Sequence, residues 1–129
     1  MNIKFSANYY DSSLEDGVLT VGFADNEDEP QDFLILQRAE EADDQDEELD
    51  QDTYYIEIGG AGLAGYGGVE EVVISEDKLV FSFLGGGGSW CEAVKVVEVV
   101  ITSILNGRDE IESAFLAIFV GTPTKVSRL

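Results

Sequence analysis

A glycine motif, GAGLAG at residues 60 to 65, fits the G-x-G-x-x-G pattern that holds the pyrophosphate of a dinucleotide. In such a site the glycines allow a tight turn and a close approach to the phosphates, and a helix must follow. Here Tyr66-Gly67-Gly68 follows, and each glycine in a first turn costs a helix about 1 kcal/mol relative to alanine. Asp77 lies at the expected spacing, but carboxylates are frequent in this chain. We therefore interpret the motif as a glycine-rich connection between two strands.

Other site chemistries are restricted by the absence of histidine, the residue that most often activates nucleophiles and ligates catalytic zinc. Carboxylate-only catalysis, such as a glycosidase pair, is open because there are 27 acidic residues, but no pair is distinguished from the rest. A calcium loop over residues 43 to 52 would lack the central glycine and the ligand spacing of an EF-hand. We expect no catalytic residue, metal or cofactor, and predict that the protein is not an enzyme.

The acidic residues are concentrated in one segment. The 129-residue chain has 27 acidic and 7 basic residues and a formal charge of −20, of which residues 25 to 52 carry −13. This charge repels nucleic acids and anionic membranes and attracts cationic partners. The segment is either a solvated loop that keeps the protein soluble or a docking face for a partner. The candidate partner-binding residues are Glu40, Glu41, Asp43, Asp44, Asp46, Glu47, Glu48, Asp50, Asp52 and Tyr66.

Length and composition predict one cytoplasmic domain, residues 1 to 129. A chain of this length can bury a single hydrophobic core. The first residues lack the apolar core of a signal peptide, and no run approaches the roughly 18 apolar residues of a membrane span. Cys91 is the single cysteine, so no intrachain disulfide can form, which agrees with a reducing compartment.

Apolar periodicity predicts an α+β fold in which a mostly antiparallel sheet of about seven strands is covered by a C-terminal helix. The segment 94 to 102 also has apolar residues at helical spacing, but its β-branched residues favour a strand. Asp16-Gly17 indicates a hairpin turn between the first two strands. The predicted strands are residues 2 to 10, 18 to 24, 33 to 38, 53 to 58, 69 to 75, 79 to 84 and 94 to 102. The helix, near residues 109 to 120, presents on one face Ile111, Ala114, Phe115, Ile118 and Phe119.

The order of several short stretches carries a resemblance to a known family. A Tyr-rich first strand precedes VGFAD at 21 to 25, FLILQR at 33 to 38, the acidic segment, YYIEI at 54 to 58, GYGGVE at 65 to 70, and a strand pair that leads to a C-terminal helix. In this order the chain resembles the immunity protein 10 family of bacterial polymorphic toxin systems. The glycine-rich stretch 85 to 91 departs from that pattern. The resemblance implies a small cytosolic protein that binds and neutralises a cognate toxin domain.

The charge of the chain agrees with such a partner. A toxin that cuts nucleic acid must bring basic side chains to its cleft, and clustered carboxylates can occupy that cleft while they steer association. We therefore expect a basic toxin domain, with a nuclease as one candidate, and no binding to nucleic acids or membranes. The alternative is a structural or self-assembling acidic interaction protein without a toxin partner, which would use the aromatic and glycine-rich surface around Tyr66 and Trp90.

Overall fold

The computed structural model describes residues 2–26, 28–29, 31–39, 54–60, 62–83, 94–101, 108–122 and 124–128, which form two five-stranded sheets and one helix. In chain order the elements are β1 (Asn2–Ala7), β2 (Tyr9–Glu15), β3 (Val18–Ala24), β4 (Phe33–Ala39), β5 (Tyr55–Gly59), β6 (Leu63–Tyr66), β7 (Val69–Ile74), β8 (Lys78–Phe83), β9 (Val96–Ile101), α1 (Arg108–Phe119) and β10 (Lys125–Arg128).

One sheet, here named the meander sheet, has the order β2-β3-β4-β5-β6, and all its neighbouring strands are antiparallel. The predicted Asp-Gly turn joins β2 to β3. Asp16 and Gly17 both have positive φ, at 52° and 76°, as in the two-residue turns whose twist matches that of the flanking strands. The predicted turn is therefore confirmed, but the strand that it joins to β3 is β2, which contains only Tyr9 and Tyr10 of the predicted strand 2 to 10.

The other sheet, here named the mixed sheet, has the order β1-β9-β8-β7-β10. Its two edge strands come from the two ends of the described chain, and each is parallel to its neighbour. The three central strands are antiparallel to one another. The predicted α+β class and mostly antiparallel pairing are thus confirmed, as are a strand within 94 to 102 and the helix, which ends one residue earlier than predicted.

The prediction of one sheet with about seven strands is wrong, because the described residues form ten strands in two sheets. The predicted strand 2 to 10 divides at Asn8, whose backbone N–H donates to the Ala24 carbonyl at 2.8 Å. The alternation of residues that face the core is interrupted there. Phe5 and Ala7 are buried before Asn8, whereas after it Tyr10 packs on Phe23 and Tyr9 faces outward. In the sequence the apolar residues alternate without interruption from residue 3 to residue 9. This alternation gave no sign that the chain passes from one sheet to the other.

Two short strands were also missed. β6 lies inside the predicted glycine connection, where Tyr55 pairs with Tyr66. β10 follows the helix, and its pairing with β7 brings Val126 beside Val72. Each of the two strands has four residues, too few for a clear alternation, and β6 contains a glycine, which strands disfavour.

The inner faces of both sheets contribute to one buried cluster, and helix α1 packs against both. Phe115 is fully buried, with its ring centroid 6.0 Å from that of Phe23 in the meander sheet and 5.7 Å from that of Phe81 in the mixed sheet. The predicted apolar helix face is therefore confirmed as part of the core. Among the described residues, no helix has the length and apolar character needed to cross a membrane.

A buried hydroxyl network joins the start of β7 to the segment before β10. The Thr124 hydroxyl donates its single hydrogen to the Val69 carbonyl at 2.6 Å. The Tyr54 hydroxyl, 3.0 Å from Thr124 Oγ1, must therefore donate to that oxygen, and it accepts from the Val69 N–H at 2.8 Å. The Tyr54 ring also packs edge-on against Phe119, at 4.8 Å. One phenol thus connects both sheets and the helix.

We expect Tyr54→Phe to lower the free energy of unfolding by about 1 to 3 kcal/mol, because the Val69 N–H would lose a buried acceptor. Urea denaturation measures the change. Tyr55→Phe is the matched control, since the Tyr55 hydroxyl lies on the outer side of the sheet and donates to Glu57. We expect a change below about 0.5 kcal/mol there. Equal losses in the two variants would contradict a special contribution of the buried network.

Candidate partner-binding face

The side of the meander sheet that faces away from the core, here named the outer face, is built from alternate residues of its five strands. Apart from Ala24, these residues are half-buried or exposed. The strand register arranges them in rows across the sheet: Tyr9, Ala24, Phe33 and Gly59 in the first; Asp11, Gly22, Ile35, Glu57 and Ala64 in the second; Ser13, Thr20, Gln37, Tyr55 and Tyr66 in the third.

The third row ends in an exposed aromatic pair. The Tyr55 and Tyr66 rings meet edge to face, with centroids 5.5 Å apart, and Tyr66 is 46% exposed. The Tyr55 hydroxyl donates to Glu57 Oε1 at 3.0 Å, and this hydrogen bond raises the pKa of Tyr55. Aromatic rings of this kind, apolar on their faces and polar at the hydroxyl, are enriched where proteins bind one another.

The net charge of the chain lies almost entirely in the part that builds the meander sheet. Residues 9 to 66 contain 18 of the 27 acids and one of the seven basic residues, a net −17, whereas the rest of the chain carries −3. The one basic residue, Arg38, points away from the outer face. Its guanidinium donates to the Ile118 carbonyl at 2.8 Å and to the Val120 carbonyl, at the C-terminal end of α1 where carbonyl groups lack helical partners.

On the mixed sheet and the helix, three acids form ion pairs with described basic residues. Glu98 lies between Lys78, at 3.2 Å, and Lys4, at 3.3 Å, and these two lysines lower the pKa of its carboxyl. Arg128 pairs with Asp109 and, at 3.6 Å, with Glu112. By sequence range, residues 9 to 66 therefore hold most of the net negative charge, and several acids of the remaining chain are paired with basic side chains.

The predicted partner-binding residues divide into two groups. Tyr66 lies on the outer face, as described above. The nine acids of residues 40 to 52 lie outside the described residues, as do the 43 to 52 stretch weighed as a calcium loop and Trp90. In the described part of the chain, no three acidic, cysteine or histidine side chains are grouped to hold a metal ion.

Sequence reasoning missed the rest of the outer face, including Tyr9, Asp11, Ile35 and Glu57. For Ile35 and Glu57 the signal was present, because each alternates with the buried residues of its own strand, whereas β2, which contains Tyr9 and Asp11, has no buried residue. The glycine motif is a turn followed by β6, with positive φ at Gly60 and Gly62, and β7 follows where a nucleotide site would need a helix.

Two packed sheets and a helix that contacts both define an α+β protein, and the outer face of its meander sheet presents aromatic rings together with the carboxylates of Asp11 and Glu57. The profile of the family described as Immunity protein 10 matches residues 4–103. The chain therefore belongs to the Immunity protein 10 family, and the resemblance seen in the sequence is confirmed. The match extends from β1 through β9, and α1 and β10 lie beyond it. Neither the curated proteins nor the solved structures contain a significant match to the chain.

Proposed function

We propose that the protein acts in the cytoplasm as an immunity protein that binds and neutralises a cognate polymorphic toxin domain, and that it does so through its acidic side. Membership of the Immunity protein 10 family implies such a toxin partner. The observation that carries the choice of surface is the separation of charge, with −17 of the −20 in residues 9 to 66. The proposed partner-binding residues are the nine acids of residues 40 to 52 and Tyr66.

The acidic segment and Tyr66 are supported as parts of one surface by the strand order. Residues 40 to 54 connect β4 to β5, which are neighbours in the sheet. The segment therefore leaves the sheet after Ala39 and returns at Tyr54, next to the row that contains Tyr55 and Tyr66. The acidic segment is thus joined at both ends to neighbouring strands of the sheet that contains Tyr66, and this supports the proposal that one partner contacts both.

The chemistry of neutralisation is occupation of the toxin surface, and it requires no catalytic step. Carboxylates attract a basic toxin over a distance of about one Debye length, roughly 8 Å at physiological salt. Aromatic and aliphatic side chains on the outer face then supply short-range contacts that exclude water. A toxin that cleaves nucleic acid fits this description, because its substrate cleft must be basic, and carboxylates in that cleft would exclude the substrate.

The proposal predicts a stable one-to-one complex with the toxin domain encoded beside this protein, and protection of cells that express both. Size-exclusion chromatography with light scattering measures the stoichiometry, and growth of co-expressing cells measures protection. A catalytically dead toxin allows the complex to be purified. Cell death despite co-expression, together with separate elution, would refute the proposal. Self-association of the protein without toxin would favour the alternative of a self-assembling acidic protein.

A further inference from the structure

The outer face of the meander sheet contains an open concavity of about 290 Å³ above Gly22. Its wall includes Tyr9, Asp11, Phe33 and Ile35, which belong to the first two rows of that face. The volume lies at the lower limit of sites for small ligands and is sufficient for one large side chain.

The fold itself gives no reason for a glycine at position 22. Gly22 is central in β3, where glycine weakens a strand, and its φ is not positive. A Cβ added there would meet only Ile35 Cγ1, at an ordinary contact distance of 3.8 Å. Gly59 on the same face is different, because a Cβ there would lie 2.1 Å from Phe33 Cε1. Gly22 therefore keeps the concavity open at the expense of strand stability, as glycines do where another molecule approaches closely.

The groups around the concavity indicate which side chain fits. The Tyr9 and Phe33 rings and Ile35 supply apolar surface. In the row that contains Gly22 and Ile35, Asp11 stands at one side and Glu57 at the other. Among the described residues, no lysine or arginine forms an ion pair with either carboxylate. The pocket thus combines apolar surface with the Asp11 carboxylate, whereas Glu57 lies in the same row outside the lining and accepts from the Tyr55 hydroxyl.

We propose that this concavity is the anchor pocket for an arginine side chain of the cognate toxin, an inference that rests on the proposed function. The arginine stem packs on Ile35, the planar guanidinium stacks on an aromatic ring, and Asp11 accepts its hydrogen bonds. Lysine fits this pocket less well, because its compact and strongly hydrated ammonium group does not stack on an aromatic ring as a planar guanidinium does. Arginine is also among the residues that most often dominate the binding energy of interfaces.

The occupant is tested on the protein alone by NMR titration with N-acetyl-arginine amide and, as the apolar comparison, N-acetyl-leucine amide. We expect saturable shifts of the Gly22 and Ile35 amide signals with the arginine probe only, and their loss in Gly22→Val. Equal or larger shifts with the leucine probe would show an apolar occupant and overturn the proposal. So would the absence of shifts at these amides with either probe.

The use of the pocket is tested with the toxin domain. We expect Gly22→Val to raise the melting temperature by about 2 to 4 °C, because valine suits a strand, and to weaken toxin binding at least tenfold, mainly by faster dissociation. Ser82→Val, on the outer side of β8 in the mixed sheet, is the matched control and should leave binding unchanged. Gly22→Ala should give a smaller loss and serves if the valine variant does not fold.

The outcomes separate the pocket from the immunity role. Wild-type affinity in Gly22→Val would overturn the pocket and leave the proposed function standing. If the wild-type protein itself does not bind the toxin, the proposed function fails, and the NMR titration alone decides whether the concavity accepts arginine.

Discussion

Replacing Asp43, Asp44, Asp46, Glu47 and Glu48 by the corresponding amides will slow association with the toxin domain about tenfold at low salt and flatten its dependence on ionic strength. Long-range attraction acts mainly on the association rate, and charged surfaces raise that rate by about 10 to 10³. These five acids are a large part of the net −17 in residues 9 to 66. Stopped-flow association rates at several salt concentrations measure the effect.

The same variant should keep its free energy of unfolding within about 0.5 kcal/mol of the wild type. Residues 40 to 52 contain nine acids and no basic residue, so the amides remove no ion pair within the segment. Arg38, the nearest basic residue in the sequence, donates to the carbonyls of Ile118 and Val120 instead. Neutralisation therefore relieves repulsion among the like charges of the segment.

A control variant carries amides at four exposed acids outside the meander sheet: Glu70, Glu76, Asp77 and Glu110. If the acidic segment is the docking face, the association rate should fall much less per charge removed in the control than in the segment variant. Equal slowing per charge would show that net charge alone steers the encounter. Unchanged rates in the segment variant at low salt would contradict a docking role for residues 40 to 52 and leave the immunity role itself untouched.

Phe115→Ala will destabilise the protein by about 3 to 5 kcal/mol, a large part of the stability of an ordinary domain. The ring is fully buried and contacts Phe23, Phe81 and Phe119, so its removal leaves a cavity where both sheets and the helix meet. Urea denaturation followed by circular dichroism measures the loss, and an unchanged slope against urea would show that two-state unfolding is kept.

The neighbouring Leu116 provides the control for helix effects. It is 55% exposed, and leucine and alanine both have high helix propensity. We therefore expect Leu116→Ala to change stability by less than about 0.5 kcal/mol. Similar losses in the free energy of unfolding for the two variants would mean that the effect comes from changing any residue of α1 and not from the packing of its buried face.

Local chemistry was sufficient for several features of this protein. The β-branched run that includes Val96–Ile101 predicted a strand despite its helical spacing, and Asp16-Gly17 predicted the turn between β2 and β3. The spacing of Ile111, Phe115 and Ile118 predicted the buried face of α1. Each of these depends on neighbours within a few residues, so the physical cause is present in a short stretch of sequence. The order of such stretches also identified the family.

Sheet membership depended on the tertiary structure. Alternation with a period of two shows which residues of a strand face inward, but it does not show which strand lies alongside. β1 pairs with β9, so that Asn2 lies beside Val96, and β10 pairs with β7. These partners are far apart in sequence, and backbone hydrogen bonds between them leave no local pattern. The division of residues 2 to 10 between two sheets follows from those pairings.

For the proposed binding surface, too, the sequence determined some features and the tertiary structure determined others. The sequence alone determined that the chain is strongly acidic, that the acids are concentrated before residue 53, and that the chain contains no histidine. Only the tertiary structure placed Tyr66 beside Tyr55, directed Arg38 away from the outer face, and opened a concavity above Gly22. The physical reason is that composition is a sum over residues, whereas a concavity and an exposed ring exist only once strands from separate parts of the chain lie side by side.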